Sequence, residues 1–385
     1  MNMKLRKVVS KILLLLMILT FCGCQESQKT YEPNGKVVKI GFIGPLNGEN
    51  ESRGRNSLLG AEAALKIQLL LLNGDSPKII ATDDNDDPEE ARQAVKKLVE
   101  EDGVSAILLG SGSKAVLGVL DLVENYKIPC IALLATHPQI TSGEYTSQLI
   151  FDDTLQGTVA ALYVMDEMIV DRVAVFIEPS QVHSTFLAET FTKKFKEAGG
   201  EAEIIKFPSN RSELEVILAG LKARGITFLY LPLHASGVVD IEKISRKLGF
   251  DPTVMMSDGI LSRIILQYDN ALNLVDGMLA TDVYSNVSLT EGYGEKLVNV
   301  FDKSFIVPKT TYTALGAEGM SILLAAMDLC GDTDDTECIN RNVHNTNNFL
   351  GVNSKISINS DGKAERPLFI NTIVNEKLLF DVMIY

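Results

Sequence analysis

The chain has 385 residues and a formal net charge of −14. It is too long for one small core, and its acidity repels nucleic acid, which excludes DNA and RNA as partners. Its apolar content of 46% is that of a globular protein, which excludes a disordered or fibrous chain.

The first 23 residues read as an export signal. Lys4, Arg6, Lys7 and Lys11 precede an apolar run that ends in "FCGC". The run is shorter than the roughly 20 residues of a spanning helix. "FCGC" resembles a bacterial lipobox, with Gly23 before Cys24 as the lipidated residue. A plain signal peptide cleaved nearby, or an uncleaved anchor, is the alternative. Residues 24–36 then form a polar tether without hydrophobic periodicity.

Beyond the tether, apolar strands alternate with amphipathic helices. "VVKIGFIG" (37–44) is a strand, 57–72 a helix, 78–84 a strand, and 88–103 a helix with Pro88 in its first turn and Asp87 as its cap. "VSAILLG" is a strand, 113–126 a helix, and 130–135 a strand. A second set follows: strand 172–178, helix 184–200, then "EAEIIKF", "SELEVILAGLKARG", "FLYLPL", helix 238–249 and strand 253–258. This alternation predicts an α/β protein with two lobes of parallel sheet, each covered by helices on both faces. After about residue 283 come helices 290–304 and 313–329, then the strand-like pieces "KISIN" and "LFINTIV". A second lobe inserted between parts of the first accounts for that tail.

Cys130, in "IPCIALLA", reads as a small buried apolar residue. Cys330 and Cys338 flank "GDTDDTE", read as a short polar loop. Outside the cytoplasm they can form a disulfide, the alternative being two free thiols. "TDDNDDPEEA" lacks the glycine and glutamate register of a calcium loop. The four histidines share no metal-ligand spacing, and no Ser lies in a nucleophile elbow. The reading is therefore no metal, no cofactor and no enzyme. "GSGSK" lacks the Gly-Lys-Ser/Thr of a phosphate loop and the third glycine of a dinucleotide fingerprint.

Four stretches, in order, resemble the extracytoplasmic solute-binding proteins of ABC importers, the type that includes the leucine/isoleucine/valine-binding protein. They are "IGFIGPLNG" with "GAEAAL" downstream, "GSGSKAVLGVLDLVENYKIPCIALLATHP", "FLAETFTKKFKEAGGEAEI" and "GFDPTVMMSDG". The resemblance implies a type I periplasmic binding fold: two Rossmann-like lobes joined by three hinge crossovers. Lobe 1 would comprise residues 37–154 and 284–360, and lobe 2 residues 155–283 and 361–385, with hinges near 154, 283 and 360.

The resemblance also places a ligand in the cleft. Ser113 and Thr136, with a backbone group near Leu134, would hold a carboxylate, and Asp258 an ammonium group. Read as residues alone, Ser113 is equally a helix N-cap and Asp258 a turn former before Gly259. Where the family has aromatic residues, this chain has Arg53, His183 and His234, which makes the pocket more polar. Arg53 either pairs with an acidic ligand side chain or lies solvated on a surface loop. The expected function is binding an amino acid or similar small solute and delivering it to ABC permease and ATPase subunits, from a lipid-anchored position outside the cell membrane. A lipoprotein that senses the same ligand and signals through a membrane partner is the alternative.

Overall fold

The computed structural model describes residues 33–285, 288–304 and 310–384. The export signal, Cys24 and most of the tether lie outside the described residues.

The first sheet is wholly parallel, in the order β2-β1-β3-β4-β5. Its strands are β1 (Val37–Gly44), β2 (Ser76–Asp83), β3 (Ala106–Leu109), β4 (Cys130–Ala132) and β5 (Thr146–Gln148). The central strand β3, "AILL", is buried along its whole length, as expected of a strand covered on both faces. The covering helices on one side are α1 (Glu51–Ile67), which follows β1, and α12 (Thr311–Cys330), a buried apolar helix from the chain's last third. These two pack closely. A Cβ at Gly316 would lie 1.9 Å from the Ser57 carbonyl oxygen, so only glycine permits the approach. On the other side lie α2 (Pro88–Lys96), α3 (Ser113–Leu117) and α4 (Leu120–Tyr126). Asp87 caps α2 by accepting from the Glu89 and Glu90 amides. Such a cap is worth about 1 kcal/mol.

The second sheet has the order β15-β14-β10-β9-β8-β6-β7. Helix α5 (Asp153–Asp166) leads into it. Strands β6 (Arg172–Ile177), β7 (Glu201–Lys206), β8 (Phe228–Leu231), β9 (Thr253–Met256) and β10 (Leu279–Asp282) are parallel, and α6 (Val182–Glu197), α7 (Arg211–Ala223), α8 (Ala235–Leu248), α9 (Ile260–Gln267) and α10 (Ala271–Leu274) connect them. The chain then returns to the first sheet through α11 (Tyr293–Ser304), α12 and α13 (Thr336–His344). Three short strands, β11 (Phe349–Leu350), β12 (Lys355–Ile358) and β13 (Ala364–Glu365), form a small sheet. Finally β14 (Leu368–Val374) and β15 (Lys377–Ile384) complete the second sheet. The chain therefore passes between the two sheets three times.

Several details depart from the sequence reading. The second sheet is not wholly parallel: β14 runs antiparallel to β10, and β15 to β14. The expected helix 57–72 starts earlier and stops at Ile67, because Asp328 of α12 accepts from the Leu72 amide and the Gln68 side chain and holds a turn there. The expected helix 113–126 is two helices; the break leaves the Gly118 carbonyl free to accept from Arg92 Nη1 at 2.7 Å. The segment between the two cysteines is only partly loop. Asp335 caps α13, so Cys338 is helical, and it is bonded to Cys330 with their Cα atoms 5.9 Å apart. Cys130 is a buried free thiol.

Candidate functional site

In a parallel sheet the loops beyond the strands' carboxyl ends carry ligands. Here those ends, from both sheets, face one another across a cavity of about 90 Å³. From the first sheet's side come Asp86 beyond β2, Ser113 beyond β3, and Leu134 and Thr136 beyond β4, with Arg53 on α1. From the second come His183 in the first turn of α6, His234 before α8, Asp258 beyond β9 and Arg263 on α9, and α12 contributes Tyr312. All seven residues expected at the ligand from the sequence line this one cavity.

Ser113 is the first residue of α3, and Gly112 occupies the cap position, so Ser113 does not cap the helix. Its Oγ accepts from the amides of Thr136 (3.2 Å) and His137 (3.3 Å). Those two bonds occupy its lone pairs and leave the hydroxyl proton to donate.

Thr136 Oγ1 lies 2.9 Å from His183 Nδ1, which also lies 2.9 Å from Asp153 Oδ1. Burial alone would lower His183, but the Asp153 charge and hydrogen bond outweigh it, and the imidazole is pushed up to about 9. His183 is therefore a cation at neutral pH. Its Nδ1–H points at Asp153 and Thr136, and the Thr136 hydroxyl proton is free for another acceptor. The His183 Nε2 atom stands 3.4 Å from Ser257 Oγ and 4.0 Å from Asp258 Oδ1. The imidazole thus ties the first-sheet side to the second.

Asp258 Oδ1 accepts from Gln156 Nε2 at 2.7 Å, and that nitrogen also donates to Thr281 Oγ1 at 3.0 Å. Burial raises Asp258 above the usual carboxylate range, while the nearby His183 cation lowers it. A carboxylate so placed gains from a second cationic donor.

Arg53 is neither solvated nor on a loop, which corrects one of the two alternatives. It sits in the first turn of α1 with its guanidinium 2.5 Å from Asp86 Oδ2. Asp86 also accepts from the Gly112 amide at 2.8 Å and from Asn50 Nδ2 at 3.0 Å. A Cβ at Gly112 would lie 3.2 Å from both terminal nitrogens of Arg53, so the loop and the guanidinium are fitted to each other. His234 is lowered by burial, with Glu178 pulling the other way, and its Nδ1 lies 4.0 Å from a Glu49 carboxylate oxygen.

A family model described as periplasmic binding protein matches residues 37–377. The chain belongs to the periplasmic binding protein family. It is a family of extracytoplasmic solute-binding proteins, not of enzymes. The chain is 22% identical over 312 residues to a leucine-, isoleucine-, valine-, threonine- and alanine-binding protein of Pseudomonas aeruginosa, covering 79% of this chain and 82% of that one. It superimposes on a leucine binding protein, LivK, of Thermotoga maritima with a TM-score of 0.82 and 25% identity, covering 90% of this chain and 98% of that one. The branched-chain amino acid substrate binding protein LivJ of Streptococcus pneumoniae, solved with isoleucine, matches with a TM-score of 0.80 and 19% identity, covering 90% and 100%.

As a periplasmic binding protein, this chain has site residues that its sequence alone did not single out. Asp153, Gln156 and Arg263 are buried, and Asp86 is largely so. A signal for Asp153 exists in hindsight. In "FDDTLQG" one carboxylate suffices as a cap; Asp152 caps α5 by accepting from the Leu155 amide, which leaves Asp153 for His183. Arg263 is the one charge in the helix "ILSRIILQ", which otherwise reads as core.

Proposed function

We propose that this chain binds an α-amino acid in the cavity between the two sheets and hands it to the permease of an ABC importer. The observation that carries the reading is the opposition of hydroxyls to a carboxylate across one small cavity. Ser113 and Thr136 each hold a free hydroxyl proton on one side, and Asp258 waits on the other. An α-amino acid presents a carboxylate and an ammonium a few ångströms apart, which suits both. At about 90 Å³ the cavity exceeds several-fold the roughly 10–15 Å³ that a single water needs. It therefore holds a small solute.

The lobes of this reading are residues 37–154 with 284–360, and 155–283 with 361–385. They hinge near 154, 283 and 360 and close on the ligand. The names of the relatives, several of which bind aliphatic amino acids, support the ligand class. A thermal-shift screen of the protein against the α-amino acids tests it. A ligand present at 100 times its dissociation constant adds about 2.7 kcal/mol of stability. An unchanged melting temperature with every amino acid would remove the reading.

The lipid anchor at Cys24 belongs to the same proposal, since a protein serving a permease gains from being held at the membrane. Cys24→Ser should move the protein out of the membrane fraction. Retention of Cys24→Ser together with release of Cys22→Ser would assign the lipid to the other cysteine.

A further inference from the structure

The charges around the cavity balance in number but not in place. Arg53 is paired with Asp86, and His183 with Asp153. Asp258 is held by Gln156 and stands 4.0 Å from His183. Arg263 has no carboxylate within ion-pair distance among the described residues. Its Nη2 donates to the Glu49 carbonyl oxygen at 3.2 Å and to Asn50 Oδ1, and its Nε has no partner. Yet the residue is only 3% exposed. Burial lowers Arg263 from the usual guanidinium value, and the Arg53 charge beside it acts in the same direction. A buried guanidinium without an anion is costly, and an anion that completes it binds strongly. Arg53 is likewise short of partners: its Nε is buried and unbonded.

We infer that Arg263, with Arg53 beside it, forms a second anion site in the cavity, and that the ligand is an amino acid whose side chain carries an acid group. The inference rests on the amino-acid reading above for the other two contacts. The α-carboxylate goes to Ser113 and Thr136, the ammonium to Asp258, and the side-chain acid to the guanidinium that lacks a counter-ion. Arg263 projects from α9 and Arg53 from α1, so the side-chain acid would be gripped from both sides of the cleft. An aliphatic side chain there would leave Arg263 buried and without an anion, as it already is, and would forgo the gain that an acid group obtains.

Titration calorimetry of the full chain with L-glutamate, L-aspartate, L-leucine and glutarate tests this. The expected result is that one of the two acidic amino acids binds at least about tenfold tighter than leucine, one hydrogen-bonded charge being worth that much. Arg263→Gln should reduce that preference at least about tenfold. Leucine binding to the wild-type protein as tightly as the tighter-binding of the two acidic amino acids would overturn the inference without any variant. Equal losses for glutamate and leucine in Arg263→Gln would also overturn it, since Arg263 would then be a tie to the 49–50 loop only. Glutarate binding as tightly as glutamate would sink the amino-acid reading and leave the anion site standing. Tight leucine binding that ignores Arg263→Gln would do the reverse.

Discussion

Asp258→Ala should weaken binding of the amino acid at least about tenfold. The carboxylate is largely withdrawn from solvent and is held by Gln156, which is itself fixed by Thr281. Burial has already raised it, so an arriving ammonium offsets a cost present in the empty site. A hydrogen bond to a charged group contributes about 1.5–3 kcal/mol, and about 1.4 kcal/mol is a factor of ten. Alanine also strands the ligand's ammonium in a cavity that still contains the His183 and Arg263 cations, so the loss should exceed that of Ser113→Ala. The Ser113 hydroxyl is one donor beside the backbone of its loop, and its replacement leaves no charge unmatched. Calorimetry on both variants with the amino acid identified by thermal shift gives the two losses; a larger loss in Ser113→Ala would reverse the assigned roles.

A loss of about 3–5 kcal/mol in unfolding free energy is expected for Glu318→Ala or Arg366→Ala. Glu318 lies in the middle of α12, and Arg366 lies between β13 and β14, where the chain makes its third passage between the sheets. Both are buried, with Arg366 Nη1 2.8 Å from Glu318 Oε2 and Nη2 3.4 Å from Oε1. Glu318 Oε1 also accepts from the Val352 amide at 2.7 Å, and Arg366 Nη1 donates to the Leu149 carbonyl oxygen at 3.3 Å. Removing either side leaves a full charge in the core. Removing both should cost less than the sum of the singles, because the stranded charge disappears with its partner. Denaturant unfolding of the three variants measures this, and single losses under about 1 kcal/mol would mean that solvent reaches the pair.

Much of this fold can be read from the sequence, because buried strands are written as short apolar runs. "VVKIGFIG" and "LFINTIV" match β1 and β14 residue for residue. The elements that escape the reading are those whose pattern is set by tertiary contacts. β5 is only three residues long and begins "TSQ", so no apolar run marks it. The four leucines at 69–72 look helical, but Leu71 is buried and Leu69 and Leu72 are exposed, because Asp328 turns the chain there. Helix α13 hides in a polar stretch that buries only Ile339 and Val343.

The site divides in the same way. Ser113, Thr136 and Asp258 follow recognisable strands, so their place at the carboxyl ends can be read in advance. The partners that set their chemistry cannot. Asp153 and Gln156 belong to a helix whose relation to His183 and Asp258 exists only once the chain has crossed between the sheets. Arg263 is a lone charge in an apolar helix, and its place is set only when α9 lies against the 49–50 loop.

In the proposed complex Asp258 reads the ligand's amino group. Calorimetry with the bound amino acid and its des-amino analogue, on wild type and Asp258→Ala, addresses that contact alone. The wild type should prefer the intact amino acid at least about tenfold, and Asp258→Ala should bind the two nearly alike, because the contact that tells them apart is gone. Equal affinity of wild type and Asp258→Ala for the intact amino acid, or a tenfold preference that persists in Asp258→Ala, would contradict the account.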